Sequence, residues 1–238
     1  METPPGVQQY DSAGKFLLMD RSLGSLAAPT LSKPANDKYA SLLYQWGRKD
    51  PFPGYCTQGD RDAMDPSGQK MSLAEGPASL ADATAHPTVF YTGEATWTSE
   101  ASEGLWSSVA KTDQDPCPPG YMVPPMTPFS EETGIFYPNY IGATCKSSGG
   151  AYVFQNAAGD YYGYPLSSML TGATGAKGNK SNNYIWTTNL GEGTVLSCSM
   201  SYGIPEGATA KHPLVTLNDP RPLSDGMSVR CMRIPEEQ

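Results

Sequence analysis

A mixed helix-and-strand (α+β) domain is the fold class this sequence predicts, and three observations predict it. Short runs rich in β-branched and aromatic residues recur along the chain, a few segments carry a helical period, and no linker divides them. The 238 residues are 38% hydrophobic and 10% aromatic, enough for one sizeable core. Gly (25) and Pro (22) make up about a fifth of the chain, well above the average of about 12%. They stand between the apolar clusters, which predicts a folded, loop-rich domain spanning 1–238.

The elements follow in order. KFLLMDR (15–21) reads as a strand. In DKYASLLYQWG (37–47), Tyr39, Leu42, Leu43 and Trp46 fall at i, i+3, i+4 and i+7, which predicts a helix capped by Asn36 or Asp37 and stopped at Gly47. RKDPFPGYCTQG (48–59) is turn-rich. SLADATA (79–85) predicts a short helix capped by Ser79 and ended by Pro87. TVFYT (88–92) reads as a strand. Thr127-Pro128 followed by Glu131-Glu132 has the chemistry of a helix start. AYVFQ (151–155), YIWTTN (184–189), TVLSCSMSY (194–202) and MSVRCMRI (227–234) read as strands, and the segments around 159–164 and 172–183 as a Gly/Asn/Ser-rich stretch.

Charge and apolar length exclude several classes. Sixteen basic against twenty-four acidic residues give −8, with no basic cluster beyond Arg48-Lys49, so a nucleic-acid partner is not expected. No apolar run approaches the ~20 residues of a membrane span. The start, METPP, is no signal peptide; a cytosolic protein or a mature fragment behind an added Met both fit. Five Cys with no C-x-x-C pair, and only two His, argue against zinc and lean towards an oxidising compartment.

DPCPPGYMVPP (115–125) holds one cysteine among five prolines. It is too proline-dense for a helix interior or a central strand. Four blocks stand in order: DRSLGS (20–25), YQWGRKDPFPG (44–54), DPCPPGYMVP (115–124) and VRCMR (229–233), with YIWTTN before the last. Together they resemble the Fibrobacter succinogenes major paralogous domain, found in surface proteins of Bacteroidota and often at the C-terminus of fimbrillin-like proteins. The departures are modest: Ser22 stands for Asn, Tyr121-Met122 for Trp-Arg, and Pro125 for Thr. The V-P-x-helix and V-R-C pattern also resembles formylglycine-generating enzymes. The resemblance implies a C-type-lectin-like α+β domain with a small twisted antiparallel sheet, two main helices and long loops. It further implies that the chain ends pair as neighbouring strands and that Cys117 is bonded to Cys231. The partners of Cys56, Cys145 and Cys198 stay open.

Signs of catalysis are sparse. Formylglycine-generating relatives need a nearby cysteine pair, and Cys198 has no cysteine within thirty positions. His86 and His212 stand 126 positions apart. No G-x-S-x-G, phosphate-loop or zinc motif is present; GATGAKG (172–178) has the wrong spacing for a phosphate loop. Asp60, Asp62 and Asp65 alternate as calcium ligands can, but solvated loop charge is the plainer reading, as it is for Glu131-Glu132. No metal or other cofactor is expected, with calcium at those aspartates the alternative. The calcium-dependent lectin motifs are missing; Leu217-Asn218-Asp219 is a faint echo.

The expected function is a non-enzymatic binding or adhesion module, extracellular or on the outer-membrane surface, within a larger lipoprotein or fimbrial protein. Its partners would be a glycan, a host or bacterial surface protein, or fimbrial subunits. The expected ligand-binding residues are Tyr161, Tyr162, Tyr164, Asn182 and Asn183, because aromatic rings stack on sugars and amides hydrogen-bond hydroxyls. Tyr161, Tyr162, Asn182 and Asn183 are expected to be exposed, and Trp46 and Trp186 to be core. A structural pilus-tip or display domain is the alternative; an enzyme on the formylglycine-generating scaffold ranks third.

Overall fold

The computed structural model describes residues 9–12, 16–25, 28, 41–54, 71–102, 104–129, 140–143, 151–155, 161–178, 182–203 and 212–235. Among these the architecture is dominated by strands. β1 (Gln9–Ser12), β2 (Phe16–Met19), β14 (Met232–Arg233) and β6 (Tyr121–Met122) form one sheet in the order β1-β2-β14-β6. A five-stranded sheet has the order β12 (His212–Arg221), β11 (Val195–Gly203), β10 (Asn183–Ile185), β13 (Gly226–Ser228), β3 (Leu43–Gln45). β4 (Ser72–Glu75) and β5 (Val89–Thr92) pair in parallel across the short helix α1 (Leu80–Ala85). β7 (Tyr140–Ala143), β8 (Ala151–Gln155) and β9 (Tyr161–Pro165) make an antiparallel meander.

The α+β, C-type-lectin-like fold with two main helices is overturned. Among the described residues helix is confined to the six residues of α1 and a 3₁₀ turn at Thr127–Phe129. The helix expected over 37–47 fails where it can be seen: Leu43–Gln45 is a strand, antiparallel to Gly226–Ser228. The reason is two-sided burial. Leu43, Tyr44, Gln45 and Trp46 are all buried, so the apolar spacing carries no information about period. Gly47 does not stop a helix. It turns the chain at φ +80°, and a Cβ there would lie 2.7 Å from Leu105 Cβ. Beyond the 3₁₀ turn, Glu131-Glu132 lie outside the described residues, as do 37–40.

Other expectations hold. α1 begins where Ser79 caps it, its Oγ accepting the Asp82 N–H at 3.1 Å. The predicted 227–234 strand exists but breaks in two, β13 joining one sheet and β14 another. The chain ends do meet. Met232 pairs with Leu18, and the Met19 N–H donates to Cys231 O at 2.9 Å. Cys117 and Cys231 form a disulfide with Cα atoms 5.8 Å apart, fastening the proline-rich corner to the last strands.

The core is shared between strands from distant parts of the chain, and buried indoles stitch it. Trp46 Nε1 donates to Thr187 O (2.9 Å), Trp186 Nε1 to Tyr44 O (2.7 Å) and Trp97 Nε1 to Trp46 O (2.8 Å). Trp46 and Trp186 are therefore core residues with satisfied N–H groups, as expected.

Candidate functional site

The motif residues come first, because motifs invite functional readings. Arg48 of YQWGRKDPFPG is 1% exposed. Its Nη2 donates to the carbonyls of Ala83 and His86 at 3.1 Å, closing the C-terminal end of α1, and Nη1 donates to Val89 O at 2.7 Å. Nε reaches Asp50 at 3.2 Å, and the guanidinium lies over the rings of Phe52, Tyr91 and Trp97 at 4.9–5.6 Å. Burial pulls its pKa below the ordinary value against the opposing pull of Asp50.

Asp115 of DPCPPGYMVP plays the same part at the disulfide corner. Its Oδ1 accepts from Lys111 Nζ and from the Cys117 N–H, both at 2.8 Å, and its Oδ2 from the Val123 N–H at 2.9 Å. Arg230 of VRCMR is buried and donates to Met19 O (2.6 Å) and Gly163 O (2.8 Å), with its guanidinium 4.3 Å from the Tyr164 ring centre. These blocks build framework: each charge is met mainly by backbone groups, with an ion pair added at Arg48 and at Asp115.

A different constellation sits at one end of the five-stranded sheet. Asp219 and Arg221 are two apart on β12 and so share a face. Arg221 Nη2 donates to Asp219 Oδ2 at 2.7 Å and Nε to the same oxygen at 3.2 Å. The guanidinium stacks 4.6 Å from the Tyr184 ring centre. Asn182 Nδ2 donates to Tyr184 Oη at 2.8 Å. The Arg221 and Asp219 side chains remain 26% and 18% exposed. Burial opposes the Arg221 charge. The hydrogen bond and charge of Asp219, with Tyr184 and Asp225, outweigh it and raise its pKa.

Much of this cluster's bonding capacity is unused. Asn182 Oδ1 and Asp219 Oδ1 accept from no donor among the described residues. The Tyr184 hydroxyl hydrogen has no acceptor there, and Arg221 Nη1 meets only the Met169 sulfur at 3.9 Å. Beneath lies Asp225, whose Oδ1 accepts the Gly172 N–H at 2.7 Å. Burial, reinforced by Asp219, raises its carboxyl to about 6, against the lowering effects of Gly172 and Arg221. Gly172 is required here, since a Cβ would stand 2.1 Å from Ser224 Oγ.

The structure separates the expected ligand-binding residues. Asn182 joins the cluster and is half-buried. Asn183 is fully buried, contrary to the expected exposure, because β10 is buried on both faces and Asn183 lies beside the buried Met200 on the face away from Tyr184. Tyr164 is fully buried as well, under Arg230. Tyr161 and Tyr162 belong to β9, opposite Gln155 and Phe154. The segment 172–178 lies in a tight hairpin closed by a Leu170–Lys177 bridge, with Gly175 at φ +65°.

Cys198 is a buried free thiol whose pKa burial pushes upward, which makes it unreactive. His86 caps α1, its Nδ1 2.9 Å from Asp82 O. Asp60, Asp62, Asp65, Cys56 and Cys145 lie outside the described residues. No three His, Cys, Asp or Glu side chains gather as a metal site among the described residues. Arg221 and Asp225 were missed in the sequence, and Asp219 was noted only as part of a faint lectin-motif echo. The one signal for Asp219 and Arg221 was the i, i+2 spacing of an acid and an arginine in NDPR (218–221). No family model, curated protein or solved structure matches the chain.

Proposed function

We propose that this chain is a non-catalytic binding module of a bacterial surface protein, and that Asn182, Tyr184, Asp219 and Arg221 take up a polyhydroxylated ligand, a glycan. One observation carries the reading: Arg221 and Tyr184 hold unused donors and Asn182 and Asp219 unused acceptors, with Asn182, Asp219 and Arg221 partly exposed around the buried Tyr184 ring. Vicinal hydroxyls each donate and accept once, which such a set matches. Asp219 also neutralises Arg221, so the cluster favours a neutral sugar over an anion. The surface location is supported by the sequence blocks resembling the major paralogous domain. No helix among the described residues is long and apolar enough to cross a membrane.

A glycan array with the intact chain tests this, followed by titration of Asn182→Ala and Arg221→Ala. Binding that survives both substitutions moves the site elsewhere, with Tyr161 and Tyr162 next to be replaced. Silence on the array and on host matrix proteins abandons ligand capture. The second reading, a display domain without its own ligand, draws on the internal use of the motif residues; co-purification with fimbrial subunits is its expected result.

A further inference from the structure

The other face of β10 carries unpaired polarity of another kind. Asn183 is 0% exposed, and neither its Nδ2 nor its Oδ1 has a hydrogen-bond partner among the described residues. Ser168 is equally buried, and its Oγ has none there either. The two residues are paired: Ser168 and Asn183 form a parallel bridge, and the Ser168 N–H donates to Asn182 O at 3.0 Å. The Asn183 side has an apolar ladder partner. Asn183 stands opposite Met200 in the ladder, and Met200, Ile185 and Leu166 belong to one buried cluster with Tyr152 and Tyr164.

An amide and a hydroxyl kept dry against such a cluster would forfeit all the hydrogen bonds they make to water when unfolded. The backbone sharpens the point. Ser168 holds φ +60°, a conformation that favours glycine, so an oxygen is retained where omitting the whole side chain would relieve strain. Protein groups satisfy the neighbouring hydroxyls: Ser41 Oγ lies 2.5 Å from Ser167 Oγ and 2.9 Å from Ser228 Oγ. Gly178, whose Cβ would lie 3.4 Å from Ser168 Oγ, has no side chain to offer.

We propose that Asn183 and Ser168 form an internal binding site for one ordered water. The ligand is uncharged, because no ionised side chain is among the neighbours just named. It both donates and accepts, because Asn183 Oδ1 needs a donor, Nδ2 an acceptor and Ser168 Oγ either. Three polar atoms are the usual complement of a buried water. This water would hold β10 to the segment before the 170–177 hairpin, on the face opposite the Asn182–Arg221 cluster, so the inference stands apart from the glycan reading.

Oxygen-17 magnetic relaxation dispersion on the intact chain counts long-lived internal waters. Ser168→Ala is expected to remove one and to lower the folded-to-unfolded ratio about fivefold. Asn183→Leu, similar in volume, is expected to do the same or more. An unchanged dispersion amplitude in Ser168→Ala overturns the proposal. So does a rise in the folded-to-unfolded ratio in either variant, the result expected when a dry orphan is removed.

Discussion

Arg48 and Arg221 are the same residue put to opposite uses. Arg48 is closed in, its nitrogens directed at Asp50, Gln45 and carbonyls at and just beyond the C-terminal end of α1, with aromatic rings around it. Arg221 is a quarter exposed, holds one carboxylate oxygen and leaves Nη1 on a sulfur. The framework charges Arg48 and Asp115 are satisfied; the cluster at the end of the five-stranded sheet is not. In this chain the buried motif charges Arg48 and Asp115 are turned to the framework and have nothing left to offer a ligand.

The comparison can be broken from the framework side, where effects should be largest. Replacing both Cys117 and Cys231 by Ser releases a constraint across 114 positions and should cost about 4–5 kcal/mol by loop entropy, read from urea unfolding. Because both sulfurs are buried, reductant without denaturant should leave the native disulfide intact, which a thiol-labelling assay checks. Arg48→Met should cost about 3 kcal/mol, since it strands the buried carbonyl of Ala83, removes the donor from the part-buried bonds to His86 and Val89, and unpairs the partly exposed Asp50 carboxylate. A loss under 1 kcal/mol would show that those carbonyls find other partners.

Asp225 lies between the two regimes, bonded to Gly172 yet beneath the open cluster. Its carboxyl is raised from 3.8 to about 6, so the native state holds its proton more tightly than the unfolded state. Stability from this group is therefore present below pH 4 and is lost as pH rises towards about 6, after which the loss is constant. Asp225→Asn should keep the Gly172 bond while removing the charge. Its advantage over the parent should grow between pH 4 and 6 and level off at no more than about 3 kcal/mol. A gap independent of pH would mean that Arg221 fully compensates the buried charge.

At the open end the stability effect should be smallest. Asn182→Ala and Arg221→Ala should each change unfolding by less than about 1 kcal/mol, as partly exposed polar pairs do. The same substitutions should lower glycan affinity at least tenfold, seen by calorimetry. A stability loss as large as that of Arg48→Met would move this cluster into the framework and remove the basis of the glycan reading.

How much of this was legible depends on where each signal came from. Ser79 and α1 were readable, because a cap acts on N–H groups three residues away. The pairing of Cys117 with Cys231 was readable through the family-like blocks, whereas the residues alone left the cysteine partners open. β12 was hidden by Pro213 and Pro220, which argue against a strand. They are accommodated because β12 pairs on one side alone, at the sheet edge, where a missing N–H costs little. Leu43–Gln45 looked helical because two-sided burial erases the alternation that marks a strand. Asn183 looked like Asn182 until β10 took Asn183 into the core beside Met200 and left Asn182 half-buried just before the strand.

By itself the sequence determined what neighbours along the chain can enforce: the capped α1, the stiff proline surroundings of Cys117, the acidic balance of −8 and the short β-rich runs. Tertiary structure decided which charges are consumed and which remain on offer. Arg48 is satisfied by carbonyls more than thirty positions away, and Arg221 stacks on a tyrosine from another strand. A side chain's free valence is a property of what folds against it, and a list of residues holds no record of that.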